Sequence, residues 1–279
     1  MEKIIDGIKH AEILKDRLKE EVLNFKRKPC LAVISVGDNP ATKIYVNKKA
    51  KCAEYIGIEY QHLHFDSITN AELEKEIIKL NENTNVDGII IQLPLPEGLD
   101  ENKIINTVDI SKDVDGLTYY NAGKLLYGED TFISCAPKGI MYLLKEEVGD
   151  LTGKNVAVVG SDILVGKPMM NLLIKANATV TLCHSKTKDL SELTKKADIL
   201  VVAIDKKHFI TEDMVKKDSI IIDFGMNRAD GKLYGDVDFD EVYNKVKKIT
   251  PVPGGVGPMA VVMLMDSVIE SYKKRQNSF

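Results

Sequence analysis

The sequence predicts an α/β protein of two lobes built on mainly parallel sheets. Three observations carry that expectation. Short apolar runs alternate with longer amphipathic ones along almost the whole chain, the pattern of βαβ units. The 279 residues are more than one domain of ordinary size takes up, since domains run about 100 to 200 residues. Between residues 109 and 137 the periodicity fades into DISKDVDGLTYYNAGKLLYGEDTFISCAP, which reads as the crossing from one lobe to the next.

Taken in order, ILKDRLKEEVLNF repeats apolar residues at helical spacing and is the first helix. Strands are expected at CLAVISVG (30–37), EYQHLHF (59–65) and DGIIIQL (87–93). Helices fill the gaps, among them ATKIYVNKKAKCAEY and TNAELEKEIIKL. The latter opens with Thr69 three residues before Glu72, a capping-box pattern. After the crossing, the helix PKGIMYLLKEEV leads into strands NVAVVG (155–160), TVTLCHS (179–185), ILVVAI (199–204) and SIIIDFG (219–225), a Rossmann-like series. TPVPGGVGP (250–258) then precedes the closing helix MAVVMLMDSVIESYKKRQ. The expected division is 1–120 for the first domain, with 258–279 packing back on it, and 121–257 for the second.

Composition narrows the function classes. No window holds the roughly 20 uninterrupted apolar residues of a membrane span, and the N-terminus shows no secretory signal, so a cytoplasmic protein is expected. A net charge of -4 without a concentrated basic face gives no electrostatic case for nucleic acid. The four cysteines and five histidines fall in no metal-ligand spacing, and no GxSxG motif stands out. Metal-dependent and nucleophilic hydrolysis are therefore set aside.

Several segments carry chemistry in one reading and plain structure in another. In VGSDILVGKP, Gly160 ends a strand and Gly166 opens a helix, so backbone amides there would face a phosphate; a tight structural turn is the competing reading. The position of the loop in a strand-helix-strand series favours a dinucleotide. The second strand of that series ends in His184, Ser185, Lys186 and Thr187 rather than in an acid, which suits a 2′-phosphate and favours NADP, with NAD the alternative. An ordinary helix N-cap at Ser185 or Thr187 competes with that reading.

In the first lobe, Tyr45 and Lys49 lie four apart on one helix face, beside other lysines that are solvated in most proteins. Gln92 ends a parallel strand, where open α/β sheets put ligand contacts; a loop-stabilising glutamine is the competing reading. Asp115 precedes a glycine in DVDG, which is turn chemistry or, in a cleft, a double acceptor for an aminopyrimidine-type ring. The glycines and prolines of PVPGGVGP make a stiff loop that lets backbone approach a ligand.

Seven strings, VGDNPATKIYVNKKAKCAEYIGI, DGIIIQLPLP, KDVDG, VVGSDILVGKPM, ATVTLCHSKT, GDVDF and TPVPGGVGPM, arrive in the order seen in bifunctional methylenetetrahydrofolate dehydrogenase/methenyltetrahydrofolate cyclohydrolase, and the chain resembles that family over nearly its whole length. The resemblance implies a homodimer with an N-terminal α/β domain that binds tetrahydrofolate derivatives and a Rossmann-like domain that binds NADP. It implies oxidation of 5,10-methylene-tetrahydrofolate followed by hydrolysis of the methenyl cation to 10-formyl-tetrahydrofolate. Carried over residue by residue, it makes Lys49 the catalytic lysine, Gln92 the amide that orients it, Tyr45 an aromatic wall and Asp115 the pterin anchor. Pro253, Gly254 and Gly255 match the segment on the folate and nicotinamide side, and Gly160, Val165 and Gly166 belong to the cofactor loop.

The departures from the family pattern cluster at the cofactor. Where GRS is usual the chain has Gly160, Ser161 and Asp162, losing an arginine and gaining an acid. Asp205 stands for a usual glycine, in DKKHF rather than a GKPGF-like form, and Ala136 and Ala260 stand where threonine is common. A carboxylate near a 2′-phosphate is repulsive in a poorly screened site. These positions motivate an alternative within the family, a cyclohydrolase whose dehydrogenase activity is weak, lost or shifted towards NAD.

Overall fold

The structure, a computed structural model, describes residues 3–276. Two compact units emerge. One holds residues 12–134 and the chain from Val261 onward; the other holds the chain up to Ala11 and Cys135–Ala260. The division falls at Ser134 and Cys135 rather than at 120, and the first residues of the chain belong with the second unit. The shift has a local cause. The irregular stretch contains a helix whose Asn121 is hydrogen-bonded to Asp113 and to Thr131, which binds residues up to 131 into the first unit. At the other end, Ile5 pairs through its backbone with Ile249.

In chain order the elements are α1 (Gly7–Val22), β1 (Cys30–Val36), α2 (Pro40–Ile56), β2 (Glu59–Phe65), α3 (Asn70–Glu82), β3 (Gly88–Ile91), α4 (Glu101–Thr107), α5 (Tyr119–Leu126), α6 (Cys135–Glu147), β4 (Asn155–Val159), α7 (Gly166–Lys175), β5 (Thr179–Cys183), α8 (Leu190–Thr194), β6 (Ile199–Val202), β7 (Ile220–Asp223), β8 (Asn227–Ala229), β9 (Lys232–Tyr234), α9 (Phe239–Val242), β10 (Lys248–Ile249) and α10 (Val256–Gln276). All seven expected strands form. Among the described residues no helix is long and apolar enough to cross a membrane.

The first unit is built on a parallel sheet of order β2-β1-β3. β1 is central and every one of its residues is buried, which is why CLAVISV reads as an unbroken apolar run rather than an alternation. Ala32, Ile34 and Val36 pack against Leu73, Ile77 and Leu80, the apolar stripe of α3. The expected capping box starts that helix, with the Glu72 amide donating to Thr69 Oγ1 and the Thr69 amide donating back to Glu72. The C-terminal helix does return to this unit: Ser271 of α10 donates to the Asp87 and Ser111 carbonyls, and the Val268 side chain lies where a Cβ on Gly88 would crowd it at 3.2 Å.

The second unit carries a parallel sheet of order β10-β7-β6-β4-β5. The first strand, β4, has the second on one side and the third on the other, so the winding reverses there. That reversal opens a crevice beyond the carboxyl ends of β4 and β6, where doubly wound sheets take their ligands. Three strands, β8, β9 and β10, lay outside the expected set, as did α5 in the stretch read as irregular. β8 and β9 form a hairpin around Asp230 and Gly231, both with left-handed φ (50° and 73°), and the Asp-Gly pair was its readable signal. β10 is two residues long, too short for any periodicity.

Candidate functional site

In the first unit the carboxyl end of the sheet gathers the expected folate-side residues. Tyr45 and Lys49 stand one turn apart on α2, both half-buried. Gln92 follows β3 directly and its backbone N–H donates to the Ile34 carbonyl, which continues the ladder by one residue. Lys49 Nζ donates to Gln92 Oε1 at 2.8 Å. An ammonium has only donors, so the amide must turn its oxygen to the lysine; its nitrogen donates to the Leu93 carbonyl at 3.1 Å. Gln92 thereby orients the amine without placing a negative charge beside it.

Asp115 reaches the same end of the sheet by a different route. Ile89 and Asp113 form a parallel bridge, so the chain from Lys112 runs beside β3 and brings Asp115 level with Ile91. The half-buried Asp115 then sits before Gly116, whose φ of 65° and close approach to Phe132 exclude a side chain: a Cβ there would stand 2.4 Å from the Phe132 carbonyl oxygen.

Sequence reasoning missed the groups that hold this loop. Asp113 is buried and accepts from the Leu117 amide (3.1 Å), the Thr118 amide (2.8 Å) and Asn121 Nδ2 (2.8 Å). Lys112 is buried as well, and its Nζ donates to the Leu80, Asn81 and Asn83 carbonyls at the end of α3. Burial pushes the Lys112 amine down to about 8, aided by Arg275. An exposed cluster of Asp38, His64 and Asp66 lies at the ends of β1 and β2, where Lys43 already pairs with Asp38 at 2.7 Å.

In the second unit the loop after β4 lies at the point where the winding reverses. A Cβ on Gly160 would stand 2.2 Å from the Ala203 carbonyl oxygen, and one on Gly166 would stand 2.1 Å from the Gly160 carbonyl oxygen. Both glycines are thus required by close backbone approach. Val165 is buried at the N-terminus of α7. Asp162 is exposed, and its Oδ1 accepts from the Leu164 and Val165 amides at 2.8 Å each, closing the turn that precedes α7. Ser161 beside it is half-buried.

His184, Ser185, Lys186 and Thr187 form a closed turn after β5. The His184 amide donates to Thr187 Oγ1, and the Lys186 amide donates to His184 Nδ1, which leaves the proton of the neutral ring on Nε2. Neither Ser185 nor Thr187 is a helix cap, because α8 begins only after Asp189. Asp205 follows β6 with a φ of 51°, and its Oδ1 accepts from the Met226 amide. Behind it the buried Asp236 of GDVDF accepts from the amides of Ile204, Asp205 and Lys206, and the buried Asp223 accepts from those of Gly225, Asp236 and Val237. Burial, against those three amides, pushes the Asp223 carboxyl up to about 6.

Pro253, Gly254 and Gly255 also lie in the second unit. Gly254 accepts from the Ile8 amide, and the Gly255 carbonyl occupies the space a Cβ on Gly7 would need. These glycines therefore seat the first turn of α1 in addition to any contact with a ligand.

The family model for the tetrahydrofolate dehydrogenase/cyclohydrolase catalytic domain matches residues 5–115, and that for the tetrahydrofolate dehydrogenase/cyclohydrolase NAD(P)-binding domain matches residues 134–276. The bifunctional protein FolD of Nitratiruptor sp. is 48% identical over 281 residues, covering 99% of each chain. The crystal structure of the bifunctional enzyme FolD, methylenetetrahydrofolate dehydrogenase/cyclohydrolase, from Campylobacter jejuni is similar with a TM-score of 0.96 at 44% identity, covering 98% of this chain and 99% of that one. The Trypanosoma brucei methylenetetrahydrofolate dehydrogenase-cyclohydrolase, complexed with NADP cofactor and inhibitor, gives a TM-score of 0.92 at 32% identity over 97% of each chain.

Proposed function

Because the chain belongs to the tetrahydrofolate dehydrogenase/cyclohydrolase family, we propose that it oxidises 5,10-methylene-tetrahydrofolate to 5,10-methenyl-tetrahydrofolate with NADP and hydrolyses the product to 10-formyl-tetrahydrofolate. The observation that carries this reading is the 2.8 Å hydrogen bond from Lys49 to Gln92 at the end of the first sheet. Lys49 takes the proton from the water that attacks the methenyl carbon, and Gln92 holds the amine in place for it. Tyr45 supports the aminobenzoyl ring, and Asp115 accepts hydrogen bonds from the pterin.

The second unit fits a dinucleotide, since Gly160 and Gly166 leave no room for side chains where the loop turns into α7. Gly160 to Gly166, with Ser185, Lys186 and Thr187, would hold NADP, which supplies a hydride acceptor when bound. Pro253 to Gly255 would lie on the nicotinamide side of that unit. The alternative, a cyclohydrolase with weak, lost or NAD-shifted dehydrogenase activity, rests on the missing arginine at Ser161. Its other motive weakens because Asp162 Oδ1 is engaged by two amides of its own loop. We also read the protein as a cytoplasmic homodimer, on the strength of its family.

The test is Lys49→Ala, assayed for both steps with NADP and with NAD. The variant loses methenyl hydrolysis while still binding folate, and the unaltered protein turns over faster with NADP. Full hydrolysis by Lys49→Ala would remove the mechanistic assignment, and a preference for NAD would favour the alternative.

A further inference from the structure

The loop that presents Asp115 is held from behind by a chain of buried polar groups. Thr131 Oγ1 donates to Asn121 Oδ1 at 2.6 Å, and Asn121 Nδ2 donates to the Asp113 carboxylate at 2.8 Å and to the Ile110 carbonyl at 3.2 Å. Thr131, Asn121 and Asp113 are 9%, 3% and 4% exposed. The side-chain amide of Asn121 is thus fixed in one orientation, its oxygen facing a hydroxyl donor and its nitrogen facing a carboxylate. The same carboxylate collects the Leu117 and Thr118 amides, which lie on the far side of Asp115. Val114, between Asp113 and Asp115, is fully buried and packs where a Cβ on Gly88 would collide with it, so the loop cannot pivot at that residue.

We propose that Thr131 and Asn121 are positioning residues for Asp115, acting through the Asp113 carboxylate. The inference rests on the reading of Asp115 as the pterin anchor. Removing the Thr131 hydroxyl leaves Asn121 Oδ1 without its donor, which frees the amide to turn and deprives Asp113 of one of three partners. Both ends of the Asp115 loop hang on that carboxylate. A buried network of this kind fixes a binding group within a fraction of an ångström.

The experiment measures KM and kcat for hydrolysis of 5,10-methenyl-tetrahydrofolate, a step that needs no NADP, in Thr131→Val, Thr131→Ser, Asp115→Asn and the double variant Thr131→Val/Asp115→Asn. Thr131→Val keeps the shape and raises KM about tenfold with kcat little changed, the pattern of lost uniform binding. Thr131→Ser keeps the hydroxyl and restores KM to within about twofold. In the Asp115→Asn background the effect of Thr131→Val largely disappears, because the group being positioned is already disabled. An equal effect of Thr131→Val in both backgrounds, or none in either, overturns the positioning role. A normal KM in Asp115→Asn alone instead overturns the anchor reading, and the two failures are thereby told apart.

Discussion

The carboxylate of Asp162 accepts from the amide of Val165, 2.8 Å away, and closes the turn that leads into α7. It does the same for Leu164. The acid that looked out of place in a phosphate loop is therefore part of what shapes the loop. Asp162→Ala removes both turn hydrogen bonds and is expected to cost about 1 kcal/mol of stability. Asp162→Ser keeps an oxygen for the amides and drops the charge, so it retains that stability and tightens NADP severalfold at low ionic strength, with a smaller gain at high salt. Unfolding curves and NADP titrations at two salt concentrations check both; equal NADP affinity in the protein and the serine variant at low salt would mean that the charge is not felt at the cofactor.

A second prediction concerns the partner of Lys49. Gln92→Glu replaces a neutral acceptor by a carboxylate at a site where the amine already donates at 2.8 Å. An ion pair favours the protonated amine, so the unprotonated form needed for water attack becomes scarcer. Methenyl hydrolysis at pH 7 should fall about tenfold for each pH unit by which the amine is raised, and the loss should shrink as pH increases. Superimposable pH profiles for the two proteins would exclude proton transfer through Lys49.

How far the sequence could be read follows from the same physics. β1, β4, β6 and β7 were legible because buried parallel strands leave nearly continuous apolar runs. Lys49 and Gln92 were singled out by the family resemblance, since a helical turn beyond Tyr45 and a strand end by themselves fit a solvated lysine and a loop-stabilising glutamine as well. α5 was not, since its buried face includes Asn121, a residue whose polarity masks the helical stripe. Lys112, Asp113, Asp223 and Asp236 were also hidden: charged residues are rarely buried, and each is buried here because the fold brings it hydrogen-bond partners, about 30 residues away for Lys112 and Asp236 and within eight residues for Asp113, that no residue pattern announces.

Asp205 was legible as a departure but not in its conformation. Its φ of 51° places it in the left-handed region, which aspartate tolerates better than most residues, and its carboxylate accepts from the Met226 amide at 3.1 Å. Asp205→Ala loses the hydrogen bond and keeps a conformation hostile to a Cβ, so a loss of about 2 kcal/mol is expected. Asp205→Gly loses only the hydrogen bond and should cost about half as much. Denaturant unfolding of the two variants checks the order; a glycine variant less stable than the alanine one would contradict it.

The last prediction follows from Asp223, whose carboxyl is pushed up to about 6 by burial in the folded chain. An unfolded aspartate titrates near ~3.9, so between about pH 6 and pH 4 the folded state binds a proton that the unfolded state does not. The contribution of this group to stability therefore rises as pH falls through that window. Asp223→Asn removes the titration and sets an amide N–H against backbone N–H donors that now meet a carboxylate, which lowers stability at every pH. The variant's deficit relative to the parent protein should widen by about 1 kcal/mol between pH 7 and pH 5. Carboxylates held below their usual range, such as Asp198 beside Lys216, weaken both proteins alike as pH falls and cancel in the difference. A deficit that stays constant or narrows on acidification would place the Asp223 proton elsewhere.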